Sequence, residues 1–317
     1  MRGRSRMHSS QRISRVAIIG FGEVGGIFGI DLAKQGIEVS VFDIMLASET
    51  HRTQMLSKAG SCGVKAEVSL RDCLRHANLV ISAVTASSAL DVAHEAGQLL
   101  RSDQMFLDIN SVSPETKRKA AAIIESKSGN GGARFVEAAV MAAVPGKRLN
   151  VPMLLGGVHA EAASNSLRSL GMNTTPLSGQ IGVASAVKMC RSVLIKGLEA
   201  LTVECLFAAR QYGAEDEVLE SLAATYPAMG WKERLPDYLI SRIAEHGRRR
   251  AAELREVAQT LQEVAVDPTM ALAAAQRQEQ LADDLVESNL QVLRADQFSW
   301  RKLADELVPR RRHRPAD

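Results

Sequence analysis

Cysteine is scarce in this chain. Four cysteines, Cys62, Cys73, Cys190 and Cys205, stand among 317 residues, with neither the CxxC spacing of a thiolate metal site nor the density of a disulfide scaffold. That scarcity excludes a disulfide-stapled fold and points to a reducing compartment. Long apolar runs are missing too: none reaches the roughly 20 residues that a membrane-crossing helix needs. The opening MRGRSRMHSSQR is basic, but no apolar core with a small-residue cleavage site follows it. A cytoplasmic protein with no membrane partner is therefore expected. Net charge is also small. The 39 Lys and Arg exceed the 36 Asp and Glu by only +3, and much of the excess lies at the ends, in Arg2, Arg4, Arg6 and the run from Arg310 to Arg314. These read as solvated tails. Without a basic folded face and a recognition motif, a nucleic-acid partner is excluded. No metal site is read, and there is no internal repeat and no low-complexity linker.

What the chain has is the make-up of an ordinary globule, 46% hydrophobic and 24% charged, at a length that favours two domains. From Arg15 to about Pro176, short apolar runs rich in β-branched residues alternate with helix-length amphipathic segments, the pattern of a parallel sheet wrapped by helices. The strands read are RVAIIG, EVSVF, LVISAV, MFLDI, RFVEAAV and VPMLLGG. Helix patterns fall at about 24–35, 47–59, 87–100 and 114–127. Beyond Gly179 every segment reads as helix, at about 182–211, 215–224, 238–264 and 269–293, with Pro268 suited to a first turn. In 182–211 the residues Val183, Val187, Cys190, Leu194, Leu198, Leu201 and Cys205 form one apolar stripe at three- or four-residue spacing. A helix that long spans roughly 45 Å and commonly bridges domains or subunits. The reading is α/β: a Rossmann-type doubly wound sheet followed by an all-α C-terminal domain with a long interdomain helix. Its parts are a basic tail (1–14), a dinucleotide-binding domain (15–178), a helical domain (179–308) and a second basic tail (309–317).

Directly after the first strand stands Gly20-Phe21-Gly22-Glu23-Val24-Gly25, a GxGxxG turn that opens an amphipathic helix. A GxGxxG alone is weak, but strand, turn and helix together make the context that the motif requires. Gly20 permits the tight turn, Gly22 lets the backbone approach a pyrophosphate, and Gly25 lets the helix pack close on the strand. The helix amino terminus offers N–H groups and a partial positive charge to the phosphates. Asp43 closes the second strand eighteen residues after Gly25, where a carboxylate can accept both ribose hydroxyls. It also disfavours the 2′-phosphate of NADP. Two unit charges about 4 Å apart repel by roughly 4 kcal/mol at an effective dielectric near 20, and solvent screens that downward. Ile44, Met45 and Leu46 follow, with no arginine to accommodate a phosphate. NAD is the expected cofactor.

Two further motifs follow in order. The first is Asp108-Ile109-Asn110-Ser111-Val112-Ser113-Pro114, at the carboxyl end of a strand, where ligands of open α/β sheets bind. The second is Gly179-Gln180-Ile181-Gly182 leading to Lys188 and Arg191-Ser192, a GxxGxxxxxK run. With the GxGxxG turn, these resemble the β-hydroxyacid dehydrogenases, the family that includes 3-hydroxyisobutyrate and 6-phosphogluconate dehydrogenases, over roughly residues 15–210. The resemblance implies that Lys188 is the catalytic lysine, exchanging a proton with the substrate hydroxyl while hydride moves to or from the nicotinamide. It implies that Asn110 and Ser111, at the polar positions of the family's Asp-x-Ser-[Ser/Thr]-x-x-Pro loop, hold the substrate carboxylate. Val84 and Asn110 are further cofactor contacts. Ser113 can cap the helix begun by Pro114, with Ser111 still facing the ligand.

The chain departs from the family in ways that bear on the substrate. The family's paired glycines are replaced by Met141 and Ala142 within Glu137–Val144, which narrows or reshapes the cavity. Arg191 stands where the family usually has asparagine, and arginine is a bidentate donor to carboxylate or phosphate. A small-molecule anionic substrate with an extra polar group is therefore expected, contacted by Asn110, Ser111, Met141, Arg191 and Ser192. One of Arg248, Arg249 and Arg250 closes the site or, on the plainer reading, lies on a solvated helix face. The resemblance and the long helix imply a homodimer. Two other readings stay open: an imine reductase on the same scaffold, against which Lys188 and Asp43 both count, and a non-catalytic NAD-binding protein.

Overall fold

The computed structural model describes residues 13–126, 132–290 and 298–307. Most of the two basic tails lies outside the described residues. The chain divides into two compact units, Met1–Lys188 and Met189–Asp317.

The first unit carries one eight-stranded sheet. Its strands are β1 (Arg15–Ile19), β2 (Glu38–Phe42), β3 (Lys65–Ala66), β4 (Leu79–Ser82), β5 (Met105–Asp108), β6 (Arg134–Val140), β7 (Met153–Gly156) and β8 (Thr174–Ser178). They lie in the order β3-β2-β1-β4-β5-β6-β7-β8. The helices are α1 (Glu23–Lys34), α2 (Glu49–Cys62), α3 (Leu70–Leu74), α4 (Ala89–Gly97), α5 (Pro114–Glu125) and α6 (Ala160–Arg168). Along β1 the side chains alternate between two cores. Val16 and Ile18 join Val39, Val41 and Phe28 on one face, while Ala17 and Ile19 join Val80, Phe106 and Phe135 on the other. Burial on both faces is why these strands read as unbroken apolar runs. Each large aliphatic side chain so buried contributes roughly 1.5–3 kcal/mol.

From β1 the chain moves outward to β2 and β3, then returns to lay β4 on the other side of β1. That reversal opens a crevice at the carboxyl ends of β1 and β4, the place where open α/β sheets bind ligands.

Not all the expected strands run parallel. β7 pairs antiparallel with β6, Glu137 lying opposite Gly156. The link between them, residues 141–152, holds a short 3-10 turn, Arg148–Asn150, and no helix of the kind that usually carries a parallel crossover. β3 and β8 were not read as strands. β3 has two residues, and β8 contains Pro176, which an edge strand tolerates because one side of its backbone pairs with nothing in the sheet.

In the second unit every described element is helical. α7 (Val183–Tyr212) begins in the first unit and runs on through the division, followed by α8 (Glu215–Thr225), α9 (Leu235–Gln262), α10 (Thr269–Glu287) and α11 (Trp300–Leu307). α9 breaks helical geometry at His246 (φ −137°, ψ 15°). The apolar stripe seen in the sequence of α7 is its outer face: Leu194 is 74% exposed, and Val187, Cys190, Leu201 and Cys205 are exposed too. The buried face instead carries Lys196, Glu199 and Thr202 beside Met189, Val203 and Leu206. Those charges are matched by α9. Lys196 Nζ lies 2.7 Å from Glu253, and Arg250 holds Glu199 through Nε (2.9 Å) and Nη2. Burial pushes the Lys196 ammonium down and the Glu199 carboxyl up, while Glu253 and Arg250 respectively oppose those shifts. Among the described residues no helix is long and apolar enough to cross a membrane.

Candidate functional site

The glycine turn sits at the crevice between β1 and β4. Gly20 has φ 91°, and a Cβ there would come within 2.4 Å of the Ala83 carbonyl oxygen. A Cβ on Gly25 would lie 2.0 Å from the Gly20 oxygen. Gly22 differs. A Cβ there would meet nothing within 4 Å, so its face of the loop is open to an incoming group. Gly22 is also the N-cap of α1, and no described side chain caps that helix. An open glycine face at an uncapped helix amino terminus is what a diphosphate requires, so the residues present fit the expected cofactor. Phe21 contributes backbone alone, since its ring is fully buried. Glu23 is exposed and Val24 half-buried in the first turn of α1.

Asp43 follows β2 and turns back to this loop. Oδ2 accepts from the Phe21 N–H at 2.7 Å and Oδ1 from the Met45 N–H at 3.0 Å. Each carboxylate oxygen keeps a further lone pair for a hydroxyl. The opposite side of the same loop is held by Lys58 of α2, a residue the sequence reading missed. Its Nζ donates to the Phe21 carbonyl at 2.5 Å and to the Gly22 carbonyl at 3.2 Å, and sits 4.5 Å from the centroid of the Phe21 ring. Phe21 is thus gripped at its N–H by a carboxylate and at its C=O by an ammonium.

At the ends of β4 and β5 the structure brings together Val84, Asn110, Ser111 and Lys188. Asn110 Oδ1 accepts from the Val84 N–H at 2.7 Å, and Nδ2 donates to Ser82 Oγ at 2.9 Å. The Asn110 side chain therefore ties its own loop to β4. Ser111 is the hydroxyl that meets the lysine, with Lys188 Nζ donating to Ser111 Oγ. Ser113 caps α5, accepting from the Thr116 N–H at 3.2 Å, with Pro114 opening the helix. Beneath the loop lies a buried ion pair. Lys117 Nζ is 2.9 Å from Asp108 Oδ1 and 2.8 Å from the Asp108 carbonyl oxygen, with side chains 1% and 2% exposed. Asp108 Oδ1 also accepts from the Asn110 N–H at 2.9 Å.

Met141 follows β6 directly, half-buried, its N–H bound to the Pro152 carbonyl at 2.9 Å. Arg191 (exposed) and Ser192 (half-buried) lie on α7 in the second unit. Of the three arginines considered at the kink in α9, Arg250 is committed to Glu199, and Arg248 pairs with Asp283 at 2.6 Å.

The family described as the NAD binding domain of 6-phosphogluconate dehydrogenase matches residues 15–179, just over half of the chain. The chain belongs to this family. A second match, to a domain of unknown function (DUF1932), covers residues 209–281. The chain is similar to an uncharacterized 28.5 kDa protein of Methanothermus fervidus, 30% identical over 77% of this chain and 89% of that protein. It is also similar to 3-hydroxyisobutyrate dehydrogenase of Pseudomonas aeruginosa, 26% identical over 68% of this chain and 71% of that one. Among solved structures it resembles a conserved hypothetical protein from Sinorhizobium meliloti 1021, with a TM-score of 0.74 and 31% identity, covering 95% of this chain and 98% of that one. The chain is a 3-hydroxyacid dehydrogenase-like protein with an NAD(P)-binding Rossmann domain.

Lys58 offers a first test of the cradle. Hydrogen bonds to a charged group are worth about 1.5–3 kcal/mol, which corresponds to roughly tenfold or more in binding when the loop they hold grips the ligand. Lys58→Ala is expected to raise the NADH dissociation constant by about tenfold, read by fluorescence titration. An unchanged constant removes Lys58 from the cradle.

Proposed function

We propose that the protein transfers hydride between NAD and the hydroxyl-bearing carbon of a 3-hydroxy acid or sugar acid, with Lys188 as general acid/base. The observation that carries this reading is the contact of Lys188 with Ser111 at the end of β5, two strands along the sheet from β1, whose end holds the glycine turn. The bound nicotinamide supplies the hydride acceptor or donor. Lys188 in its amine form takes the hydroxyl proton as the carbon gives up hydride, leaving a carbonyl; in the reverse direction the ammonium returns that proton. Ser111 holds the amine at the site of proton transfer and donates its own hydroxyl hydrogen to a substrate oxygen. Asn110 keeps the loop against β4, so that Ser111 is presented from a fixed backbone. A lysine suits this work when its environment lets it change protonation near neutral pH.

NAD is proposed over NADP because Asp43 stands where the 2′-phosphate would sit. If screening halves the repulsion to about 2 kcal/mol, the preference is roughly 30-fold. A polar or second anionic group on the substrate is proposed from Arg191, and a homodimer from the family resemblance and the exposed apolar face of α7. The 3-hydroxyisobutyrate dehydrogenase of Pseudomonas aeruginosa supports the reaction class.

A panel of 3-hydroxy acids and sugar acids, offered with NAD and then NADP and followed at the nicotinamide absorbance, tests the reading. At least one acid is expected to be oxidised, and faster with NAD. Binding of NADH with no turnover on any member of the panel contradicts it and leaves a nucleotide binder.

A further inference from the structure

One fully buried carboxylate in the first unit takes no part in the chemistry above. Glu137 lies mid-way along β6, in register with Asp108 of β5 on one side and Gly156 of β7 on the other. A buried carboxylate has to be paired or fully hydrogen-bonded. Glu137 takes backbone donors. Oε2 accepts from the Gly182 N–H, and Oε1 accepts from the Ser185 N–H at 2.5 Å. These are orphan donors at the amino end of α7, a helix with no acidic residue in its own first turn. The cap that most helices draw from a neighbouring side chain in sequence comes here from a strand 45 residues upstream.

The neighbourhood is shaped around this contact. Gly156, opposite Glu137, has no room for a side chain, because a Cβ would lie 2.8 Å from Glu137 Oε2 and 3.2 Å from the Gln180 carbonyl oxygen. Gly157 (φ 109°) likewise has no room beside Ile181. Gly182, at φ 103°, turns the chain into the helix, and Ser185 Oγ donates to its carbonyl at 3.1 Å. Lys188 follows Ser185 by three residues on the same helix. In an α-helix each residue advances about 100° round the axis and 1.5 Å along it. If the first turn slips by one residue, the Lys188 ammonium swings off Ser111.

We infer that Glu137 is a positioning residue for Lys188: capping α7 from β6, it fixes the phase and height at which the ammonium meets Ser111. The inference rests on the proposed function, in which Lys188 moves the proton. Glu137 touches neither substrate nor cofactor in this role, so its loss acts on the catalytic step rather than on cofactor binding.

Two variants test it. Glu137→Gln keeps one acceptor for the two N–H groups, and Gly156→Ala pushes the carboxylate from the far side while keeping its charge. Each is expected to lower kcat by about 10²-fold, the cost of misplacing a reacting group by about 1 Å. The NADH dissociation constant should stay within about twofold of the wild type in both, because the cradle is untouched. Amide hydrogen exchange across residues 182–185 should accelerate in both, a readout independent of turnover. Faster exchange with an unchanged kcat overturns the inference, as does a fall in NADH affinity that matches the fall in kcat. Gly156→Ala serves alone if Glu137→Gln does not fold. Lys188→Ala, run in parallel, separates the two ideas: if it retains full turnover, the proposed function fails, whereas if it is inactive and both cap variants are fully active, only the role of Glu137 fails.

Discussion

Lys188→Ala is expected to bind NADH as the wild type does and to turn over its 3-hydroxy acid about 10²–10⁴-fold more slowly, the usual contribution of a positioned general acid or base. Cofactor binding survives because the glycine turn, Asp43 and Lys58 form a hydrogen-bonded set that does not include the lysine. Lys188→Arg sharpens the test. Arginine keeps the positive charge, but its pKa above about 12 leaves it unable to release a proton near neutral pH. If Lys188 is a proton carrier, the arginine variant is nearly as slow as the alanine variant. If the group acts only as a charge that holds a carboxylate, arginine restores most of the rate. Steady-state kcat for both variants, with NADH titrations to confirm binding, distinguishes these outcomes.

The second large effect is on stability. Lys117→Ala is expected to destabilise the first unit by about 3–5 kcal/mol, the cost of leaving one partner of a buried ion pair without the other. Lys117 is fully buried on α5 and holds Asp108 through both its carboxylate and its carbonyl. Removing the ammonium leaves the Asp108 carboxylate in a buried site without its counter-charge, though the Asn110 N–H still donates to it. In a unit of this size a loss of that order lowers the midpoint of thermal unfolding by roughly 10 °C. The double variant Asp108→Asn, Lys117→Met removes both charges and should recover much of the loss, because a buried pair is often replaceable by neutral groups of similar volume. Calorimetry on the wild type and both variants checks this. A midpoint for Lys117→Ala within about 2 °C of the wild type would show that water reaches the carboxylate and that the pair contributes little.

Lys117 also shows what the sequence withheld. In PETKRKAAAIIE it reads like its neighbours Arg118 and Lys119, one more charge on an amphipathic helix, and its partner is set by how α5 returns onto β5. Lys58 is equally hidden, in the polar and weakly amphipathic α2. Glu137 did leave a signal. RFVEAAV is an otherwise apolar strand, and a carboxylate in the middle of a strand buried on both faces demands donors from elsewhere. The glycine turn, Asp43 and the DINSVSP loop were legible because their geometry is local: a strand, a tight turn and a helix in immediate succession, or a strand end carrying small polar residues. Lys188, whose contact lies 77 residues upstream, was singled out by the family resemblance. That the apolar stripe of α7 faces outward could not be read, for the opposite reason. Its buried side carries Lys196 and Glu199, and only the return of α9 about 50 residues later supplies Glu253 and Arg250 to neutralise them. Periodicity reports which residues share a face, and the partner helix decides which face is covered. The reversal of β7 depends similarly on the link from β6, which forms a 3-10 turn in place of the helix a parallel crossover usually carries.

In the proposed reaction hydride passes between the substrate carbon and a nicotinamide held at the glycine turn. A 3-hydroxy acid deuterated at the hydroxyl-bearing carbon, incubated with NAD and the wild-type protein, tests this directly by mass spectrometry of the recovered cofactor. NADH carrying one deuterium and a product carbonyl at the labelled carbon are expected, with the same transfer about 10²–10⁴-fold slower in Lys188→Ala. Unlabelled cofactor from every acid in the panel, under conditions where NADH binding is demonstrated, would contradict it.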